Sequence, residues 1–305
     1  MKKRILLPVI LFFCGFSSIA QVVSDFISIP NPDDMEVDSF GNLWVNYRVS
    51  LSLPEHRLAK ITPDGTLTDV ITANHTLGMF GVNDSIIWIG GDWGATSKIY
   101  KYDHSGNKLD SISMPYPTSI ILDPDGTWYV TQNALGRLTK VNPDKTTQIL
   151  ASGTPLNYNL ALARDENGMF YTCNLMDAKV IKIDPATGTK TTLVTLPAPT
   201  TYNLGFLTYK EGYLYVPSYG SHSIYKVDTA GTGYTVIAGI EGSSGDVNGD
   251  VLTAQFDTPT SVYFSNSGNT LFVADSKNNK IKAIAGMNGT RKLYFEYYNF
   301  KRQNN

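Results

Sequence analysis

The sequence predicts an all-β fold, a six-bladed β-propeller of four-stranded antiparallel blades, closed by pairing of the N- and C-terminal segments. Two observations carry this prediction. A short apolar strand with an aromatic residue at a fixed place recurs six times, and a second alternating strand followed by a turn comes after each copy. The aromatic residues are Trp44, Trp88, Tyr129, Tyr171, Tyr215 and Phe272, at intervals of 44, 41, 42, 44 and 57 residues. Such a period, with almost no helical pattern, is typical of propeller blades.

The second strand of five copies carries a lysine between apolar residues. Alternation of this kind predicts a strand with one buried face and one solvated face. The lysines are Lys60, Lys101, Lys140, Lys182 and Lys226, and the sixth copy has Ala283 instead. We therefore expect these lysines to be solvated.

The long last interval and the closure of the ring both concern the final blade. A Gly/Asp-rich loop at residues 241–257 accounts for the extra length. Residues 22–30 have the same pattern as the outer strand at residues 109–115, so the N-terminal strand is predicted to complete the last blade. Residues 292–298 also fit that position, and we expect them to add outside the N-terminal strand or to cover an edge.

The first 20 residues have the pattern of a secretory signal peptide. A basic start at residues 2–4 precedes an apolar run at residues 5–16, and small residues come before Gln21. An apolar run of this length is too short to span a bilayer comfortably. The sequence therefore predicts a signal peptide at residues 1–20, a single domain at residues 21–305, and export to the periplasm or the extracellular space.

Charge and cysteine content exclude several classes of protein. The chain has 25 basic and 27 acidic residues, and removal of the predicted signal peptide leaves 22 and 27, a net charge of −5. This balance gives no basic surface for nucleic acid. No later apolar run has the length of a membrane helix, so no transmembrane anchor is expected. Only Cys173 remains after residue 20, which argues against a disulfide scaffold.

Residues 242–285 resemble an NHL repeat. The matching features are a Gly/Asp loop, Ala254 and Phe256, Pro259, the segment Phe272-Val-Ala-Asp275, and Asn279 before Ile281. The resemblance implies a propeller in which Ala254 and Phe256 plug between blades. It also places the start of each inner strand and the loop after each aromatic strand on one face of the ring, which we call the channel mouth.

Polar and aromatic residues of these mouth segments form the candidate binding site. Such a set at a converging mouth suits a small molecule, a glycan or a protein partner. The predicted binding residues are Asp34, Tyr47, Arg48, Trp93, Asn133, Asn174, Tyr219, His222 and Asp275.

Three inner-strand starts resemble the gluconolactonase and senescence-marker-protein-like family of six-bladed propellers. They are Pro32-Asp33-Asp34-Met35, Tyr158-Asn159-Leu160-Ala161 and Tyr202-Asn203-Leu204-Gly205, and they look like that family's Pro-Asp-Gly-Met and Pro-Asn-Gly segments. Members of that family hold a divalent metal in the channel. The resemblance implies Asp33, Asn159 and Asn203 as metal ligands, and their oxygens suit Ca²⁺. Calcium is therefore a candidate cofactor that the binding function does not require.

Catalytic motifs are scarce in this sequence. It contains no His-Glu-x-x-His, no Gly-x-Ser-x-Gly and no phosphate-binding glycine loop, and its four histidines show no paired spacing. We therefore expect an exported, non-catalytic module that binds a ligand or protein at the channel mouth. Two alternatives are a calcium-dependent, gluconolactonase-like hydrolase or lyase and an envelope-associated interaction platform, and the fold alone does not decide among the three.

Overall fold

The structure confirms the predicted ring of six small antiparallel sheets. It is a computed structural model that describes residues 20–52, 55–73, 77–83, 85–91 and 94–288. Within these ranges the helical segments are two short 3-10 turns, Asn133–Leu135 and Ser276–Asn278. No helix in the described ranges has the length and apolar character needed to cross a membrane. The segment predicted to be a signal peptide lies outside them up to residue 19.

Each blade is built from strands that are consecutive in the chain, except that the last blade also takes the first strand, β1 (Val22–Ser28). Blade 1 consists of β2 (Pro32–Val37), β3 (Leu43–Arg48), β4 (His56–Ile61) and β5 (Leu67–Ala73). Blade 2 consists of β6 (Leu77–Val82), β7 (Ile86–Gly91), β8 (Lys98–Asp103) and β9 (Lys108–Ser113). Blade 3 consists of β10 (Pro117–Leu122), β11 (Trp128–Gln132), β12 (Arg137–Val141) and β13 (Thr147–Ser152). Blade 4 consists of β14 (Ala163–Arg164), β15 (Phe170–Cys173), β16 (Lys179–Ile183) and β17 (Lys190–Thr195), and blade 5 of β18 (Thr208–Lys210), β19 (Tyr213–Ser218), β20 (Ser223–Asp228) and β21 (Tyr234–Ala238). The short β22 (Gly249–Asp250) follows. Blade 6 consists of β23 (Pro259–Phe264), β24 (Thr270–Asp275), β25 (Lys280–Ala285) and β1.

The hydrophobic core lies between the blades. Six clusters of buried apolar side chains are present, and each is formed mainly by two neighbouring blades. Between blades 1 and 2, for example, Trp44 and Leu58 pack with Phe80 and Ile87. A sheet that is apolar on both faces needs a partner on each side, so every blade depends on two neighbours.

The recurring lysine and the recurring aromatic residue lie directly opposite each other on neighbouring strands. The register pairs Trp44 with Lys60, Trp88 with Lys101, Tyr129 with Lys140, Tyr171 with Lys182, Tyr215 with Lys226, and Phe272 with Ala283. The Lys60 Nζ lies 5.9 Å from the Trp44 ring centroid, and the Lys101 Nζ lies 5.6 Å from that of Trp88. Lys182 and Lys226 lie over Tyr171 and Tyr215 in the same way, so these four lysines cover aromatic rings as well as reaching water, a cation–π contact of about 0.5–1 kcal/mol each.

The N-terminal strand closes the ring, as the sequence predicts. Strand β1 pairs antiparallel with β25, with Val23 opposite Ile284, and so becomes the outer strand of blade 6. Val23 is buried in the cluster between blades 5 and 6. The alternative closing strand, residues 292–298, lies outside the described residues.

The long loop before blade 6 is fastened to β1 and β25 by charged groups. Ala254 and Phe256 are fully buried in the cluster between blades 5 and 6, the plugging position that the sequence predicts. The Lys282 ammonium, which has no exposed surface, lies 2.7 Å from the Asp246 carboxylate. Asp246 also accepts a hydrogen bond from Lys280 at 2.6 Å. Because a buried ammonium needs a counter-charge, the loop position and the last blade depend on each other.

Replacing Val23 with Asp should weaken ring closure. Val23 is 1% exposed, whereas Val22 beside it is 42% exposed. A carboxylate at position 23 would be buried without a partner, so we expect the free energy of unfolding in urea to fall by about 3 kcal/mol or more. Val22→Asp is the matched control and should cost less than about 1 kcal/mol. Equal losses would show that the buried face of β1 does not hold the ring closed.

Replacing Asp246 with Ala should destabilise the fold in a pH-dependent way. Burial raises the pKa of the Asp246 carboxyl, but hydrogen bonds from Lys280 and Lys282 outweigh it, so the pKa lies below its ordinary value of 3.8. The carboxylate therefore stabilises the folded state above about pH 4, and that contribution disappears as pH falls through the lowered pKa.

We expect D246A to lose about 1–2 kcal/mol of unfolding free energy at pH 7, a modest value because Asp246 is partly exposed. The difference from the parent should shrink below pH 3, as followed by urea denaturation across pH. Asp110→Ala, which breaks an exposed pair with Lys145, is the control and should leave the midpoint nearly unchanged. A loss that is constant with pH would contradict the ionic role of Asp246.

Candidate functional site

A cavity of about 340 Å³ opens at the channel mouth, where the inner strands begin. We call it the mouth cavity. Its lining combines apolar, aromatic and charged side chains from blades 1, 4, 5 and 6. The lining residues are Asn31, Asp33, Arg48, Leu51, Leu160, Leu175, Tyr202, Phe206, Tyr219, Thr258, Thr260, Ser276 and Lys277. The predicted mouth residues Asp33, Arg48 and Tyr219 are thus brought together around one space.

The first two strands of blade 1 position Asp33 and Arg48. Arg48 ends β3, and the pairing of β2 with β3 shifts register between Pro32 and Met35, a bulge that re-aims side chains at the start of β2. Asn31 has a left-handed backbone with φ of 38° and donates from Nδ2 to the Arg48 carbonyl at 3.2 Å. Blade 6 fixes the same segment, because Thr260 Oγ1 donates to the Asp33 carbonyl at 2.9 Å.

The polar groups of Asp33, Arg48 and Tyr219 have no hydrogen-bond partner among the described residues. The Nε of Arg48 is shielded from solvent and is unpaired in that part of the chain. No ion pair within 4.0 Å joins Arg48 to Asp33. Burial raises the pKa of the Asp33 carboxyl, and the nearby Arg48 charge opposes that rise. Burial, together with the charge of Asp33, raises the pKa of the Tyr219 hydroxyl, which therefore stays protonated at neutral pH.

Gly205 makes room for this arrangement. A Cβ at position 205 would lie 2.1 Å from the Thr260 carbonyl oxygen and 2.7 Å from Cε1 of Tyr219. Both distances are far below a van der Waals contact. Only glycine therefore allows blade 5 to approach blade 6 while the Tyr219 ring stays at the mouth.

A smaller chamber of about 60 Å³ lies deeper in the channel, and Phe206 lines both spaces. Its acidic residues are Asp34 and Glu36 from β2, and Tyr263 lies with them. Burial raises the pKa of both carboxyls well above their ordinary values, although the Val82 N–H donates to Glu36 at 2.8 Å. No basic side chain of the described residues pairs with either carboxylate. This chamber therefore favours protonated carboxyl groups.

The opposite end of the channel has a cavity of about 320 Å³, and Glu36 and Tyr263 line both this cavity and the chamber. Its arginine is paired, because Arg164 donates to the Asp123 carboxylate at 2.9 Å. The Tyr209 hydroxyl donates to Glu166. Because Arg48 and Asp33 have no such partners among the described residues, the mouth is the candidate binding site.

Several predicted binding residues serve the framework of the mouth and do not line its cavity. Tyr47 packs between blades 6 and 1 and donates to Asp69 at 2.8 Å. Asn174 donates to the Pro155 carbonyl at 2.8 Å. Asp275 is fully buried and accepts the Asp257 N–H at 2.7 Å, and burial raises the pKa of Asp275 to about 6.

The remaining described residues of the predicted binding set lie in three different parts of the structure. Asp34 is buried in the chamber below the mouth cavity. Asn133 is buried in the turn after β11, and its Oδ1 lacks a partner among the described residues. His222 lies in the loop after β19, where Nδ1 accepts the Thr258 N–H at 3.1 Å and burial lowers the pKa of the imidazole. Trp93 lies outside the described residues.

The three predicted calcium ligands have different partners in this structure. Asn203 uses its whole carboxamide, since Nδ2 donates to two backbone carbonyls and Oδ1 accepts the Thr200 N–H at 3.1 Å. Asn159 donates to the Arg137 carbonyl at 3.1 Å, and its buried Oδ1 has no partner in the described part of the chain. Asp33 lines the mouth cavity. No group of three His, Cys, Asp or Glu side chains among the described residues is placed to hold a metal ion.

Sequence reasoning missed the apolar part of the mouth. Leu51, Leu175 and Phe206 line the cavity, yet single apolar residues in loops carry no periodic signal. Lys277 lies two residues after the predicted Asp275, so the rule that collects residues after each aromatic strand would have found it with a slightly longer window. Glu36 was not predicted as a channel residue, because the rule considers only strand starts and loops and Glu36 lies inside β2.

No protein-family model matches this sequence, and no curated protein sequence is similar to it. Solved structures do share its fold. An auxiliary nutrient binding protein from Bacteroides thetaiotaomicron has a TM-score of 0.71 at 14% identity, over 87% of this chain and 76% of that one. A second auxiliary nutrient binding protein, from Bacteroides ovatus, has a TM-score of 0.69 at 14% identity over the same shares.

An enzyme has the same architecture. Virginiamycin B lyase from Staphylococcus aureus has a TM-score of 0.58 at 14% identity, over 86% of this chain and 98% of that one. At such low sequence identity these similarities show a shared fold and nothing more. This chain is therefore a six-bladed β-propeller similar in architecture to both nutrient-binding proteins and a lyase.

Proposed function

We propose that this chain is an exported propeller that binds a small organic molecule in the mouth cavity. The observation that carries the proposal is the convergence of Asp33, Arg48 and Tyr219 on one cavity without partners among the described residues. A volume of about 340 Å³ and a mostly apolar lining with a few polar groups are typical of small-molecule sites.

Two further points support this function. The structural neighbours include two proteins named for nutrient binding. Export is supported by the signal-peptide pattern of residues 1–20, and the NHL-type relationship by the buried Ala254 and Phe256 of the last repeat. The single domain would then be the mature chain from residue 21 onward. A glycan or a protein segment remains an alternative occupant of the same cavity.

A lyase or hydrolase is the second candidate, and His222 is the observation that favours it. Burial lowers the pKa of this imidazole, so the ring is neutral at pH 7. Its Nδ1 accepts the Thr258 N–H, which leaves the protonated nitrogen at Nε2. The ring takes a proton only at Nδ1, after release of the Thr258 N–H. Thr258 lines the mouth cavity, and a neutral imidazole next to it has the protonation state of a general base.

Leu51→Ala should weaken ligand binding at the mouth. Leu51 is 68% exposed and lines the mouth cavity, and Leu109 is 52% exposed on an outer strand far from it. Loss of the Leu51 contact should cost about 1 kcal/mol, or about fivefold in affinity. A thermal-shift panel of free amino acids, monosaccharides, short oligosaccharides and organic acids would identify a ligand, and calorimetric titration would give its affinity.

Leu109→Ala is the control for that measurement and should bind with the parent affinity. Equal affinity of all three proteins would place the ligand elsewhere on the molecule. A panel in which nothing binds up to millimolar concentration would count against the proposed function itself.

The enzymatic alternative predicts hydrolysis of an aryl ester or a lactone that depends on His222. We would measure rates with and without added calcium, and total bound calcium by elemental analysis. His222→Ala should reduce the rate about a hundredfold or more, because general-base catalysis contributes about 10² to 10⁴. His104→Ala, in a turn on the opposite face, should retain it. No rate above background in the parent protein would remove this alternative.

A further inference from the structure

The mouth cavity holds two opposite charges that do not neutralise each other. Arg48 and Asp33 both line it, no ion pair within 4.0 Å joins them, and neither side chain hydrogen-bonds to a described residue. They are close enough for the Arg48 charge to oppose the rise in the pKa of Asp33. An unpaired charge in a partly buried site is unfavourable, so a ligand that carries both complementary charges gains from both contacts.

The rest of the lining is largely apolar. It includes Leu51, Leu160, Leu175 and Phe206. A sugar ring carries hydroxyl groups on every side and needs polar partners around its rim. The polar lining residues Asn31, Thr258 and Thr260 already donate hydrogen bonds to other groups of the protein. The cavity therefore favours a ligand with its polar groups at one end and an apolar body at the other.

We propose that the mouth cavity binds a free α-amino acid with an apolar side chain, an inference that rests on the proposed function. The carboxylate of the ligand binds the Arg48 guanidinium, and its ammonium binds the Asp33 carboxylate. In an α-amino acid these two groups are attached to the same carbon, which suits two charges that lie near each other in one small cavity. The side chain of the ligand then packs against the apolar lining.

Tyr219 and Lys277 complete the recognition of the carboxylate end. The Tyr219 hydroxyl is protonated at neutral pH and has no acceptor among the described residues, so it is available to donate to the ligand carboxylate. Lys277 adds a second positive charge to the lining. The cavity thus carries two basic groups and one acidic group, and loss of the ligand's carboxylate should weaken binding more than loss of its ammonium.

Calorimetric titration with L-phenylalanine, L-phenylalanine amide and N-acetyl-L-phenylalanine tests this inference directly. The amide lacks the carboxylate, and the acetyl derivative lacks the ammonium. We expect the parent protein to bind the free amino acid at least about tenfold more tightly than either derivative, since a hydrogen bond to a charged group contributes that much or more. The amide should bind most weakly.

Two variants assign each half of the ligand to its partner. Arg48→Met should lose most of the preference for the free amino acid over the amide, because Tyr219 and Lys277 still contact the carboxylate, and Asp33→Asn should bind the free amino acid and the acetyl derivative equally. Lys98→Met removes an exposed charge outside the cavity and should keep the parent preferences. If Arg48→Met does not fold, Arg48→Lys keeps the charge without the forked donor and should lose only part of the preference.

The outcomes separate this inference from the proposed function. Equal binding of the amino acid and both derivatives, or binding of sugars with no binding of amino acids, would overturn the inference and leave a small-molecule site in place. Absence of binding by every member of the panel would overturn both. Preferences that are undiminished in Arg48→Met and in Asp33→Asn would show that the zwitterion is held somewhere else.

Discussion

Closure of the ring by β1 is the constraint on which the rest of this structure depends. Each blade buries its two faces only against its neighbours, and the six apolar clusters lie at the six junctions. An open ring would leave two such faces in water. The pairing of β1 with β25 removes that edge, because it joins the two ends of the domain through backbone hydrogen bonds and the buried Val23.

The same closure sets the geometry of the mouth. Strand β1 ends at Ser28, and β2 begins four residues later with Pro32, so the segment that locks the ring also delivers Asp33 to the channel. The backbone N–H of Asn31 donates to Asn279 of blade 6 at 3.1 Å, and Thr260 donates to the Pro32 carbonyl at 3.0 Å. The position of Asp33 is thus fixed by residues more than 200 positions away in the chain.

The arginines at the two ends of the channel differ in whether they have a partner. At one end Arg164 pairs with Asp123, and at the mouth Arg48 and Asp33 line a cavity without such partners in the described residues. Charged side chains that pair with each other are not free to bind a ligand. Buried polar groups without partners destabilise the folded state. Proteins keep such groups at binding sites, because a ligand supplies the missing partners there. This contrast, more than the shape of either cavity, distinguishes the candidate site.

By itself the sequence determined the all-β class, the number of blades and the closing strand, because each depends on a pattern that repeats or alternates along the chain. The burial of Ala254 and Phe256 between blades was implied by the resemblance to an NHL repeat. It also indicated Asp33, Arg48 and Tyr219 as mouth residues, since the strand ends of a propeller share one face. Only the tertiary structure decided which of the candidates face the cavity. Tyr47 and Asn174 occupy equivalent positions at the ends of the aromatic strands but hydrogen-bond to Asp69 and Pro155, and Phe206 reaches the channel because Gly205 allows two blades to approach closely. Such choices depend on partners brought together from different blades, and no local pattern in the sequence encodes them.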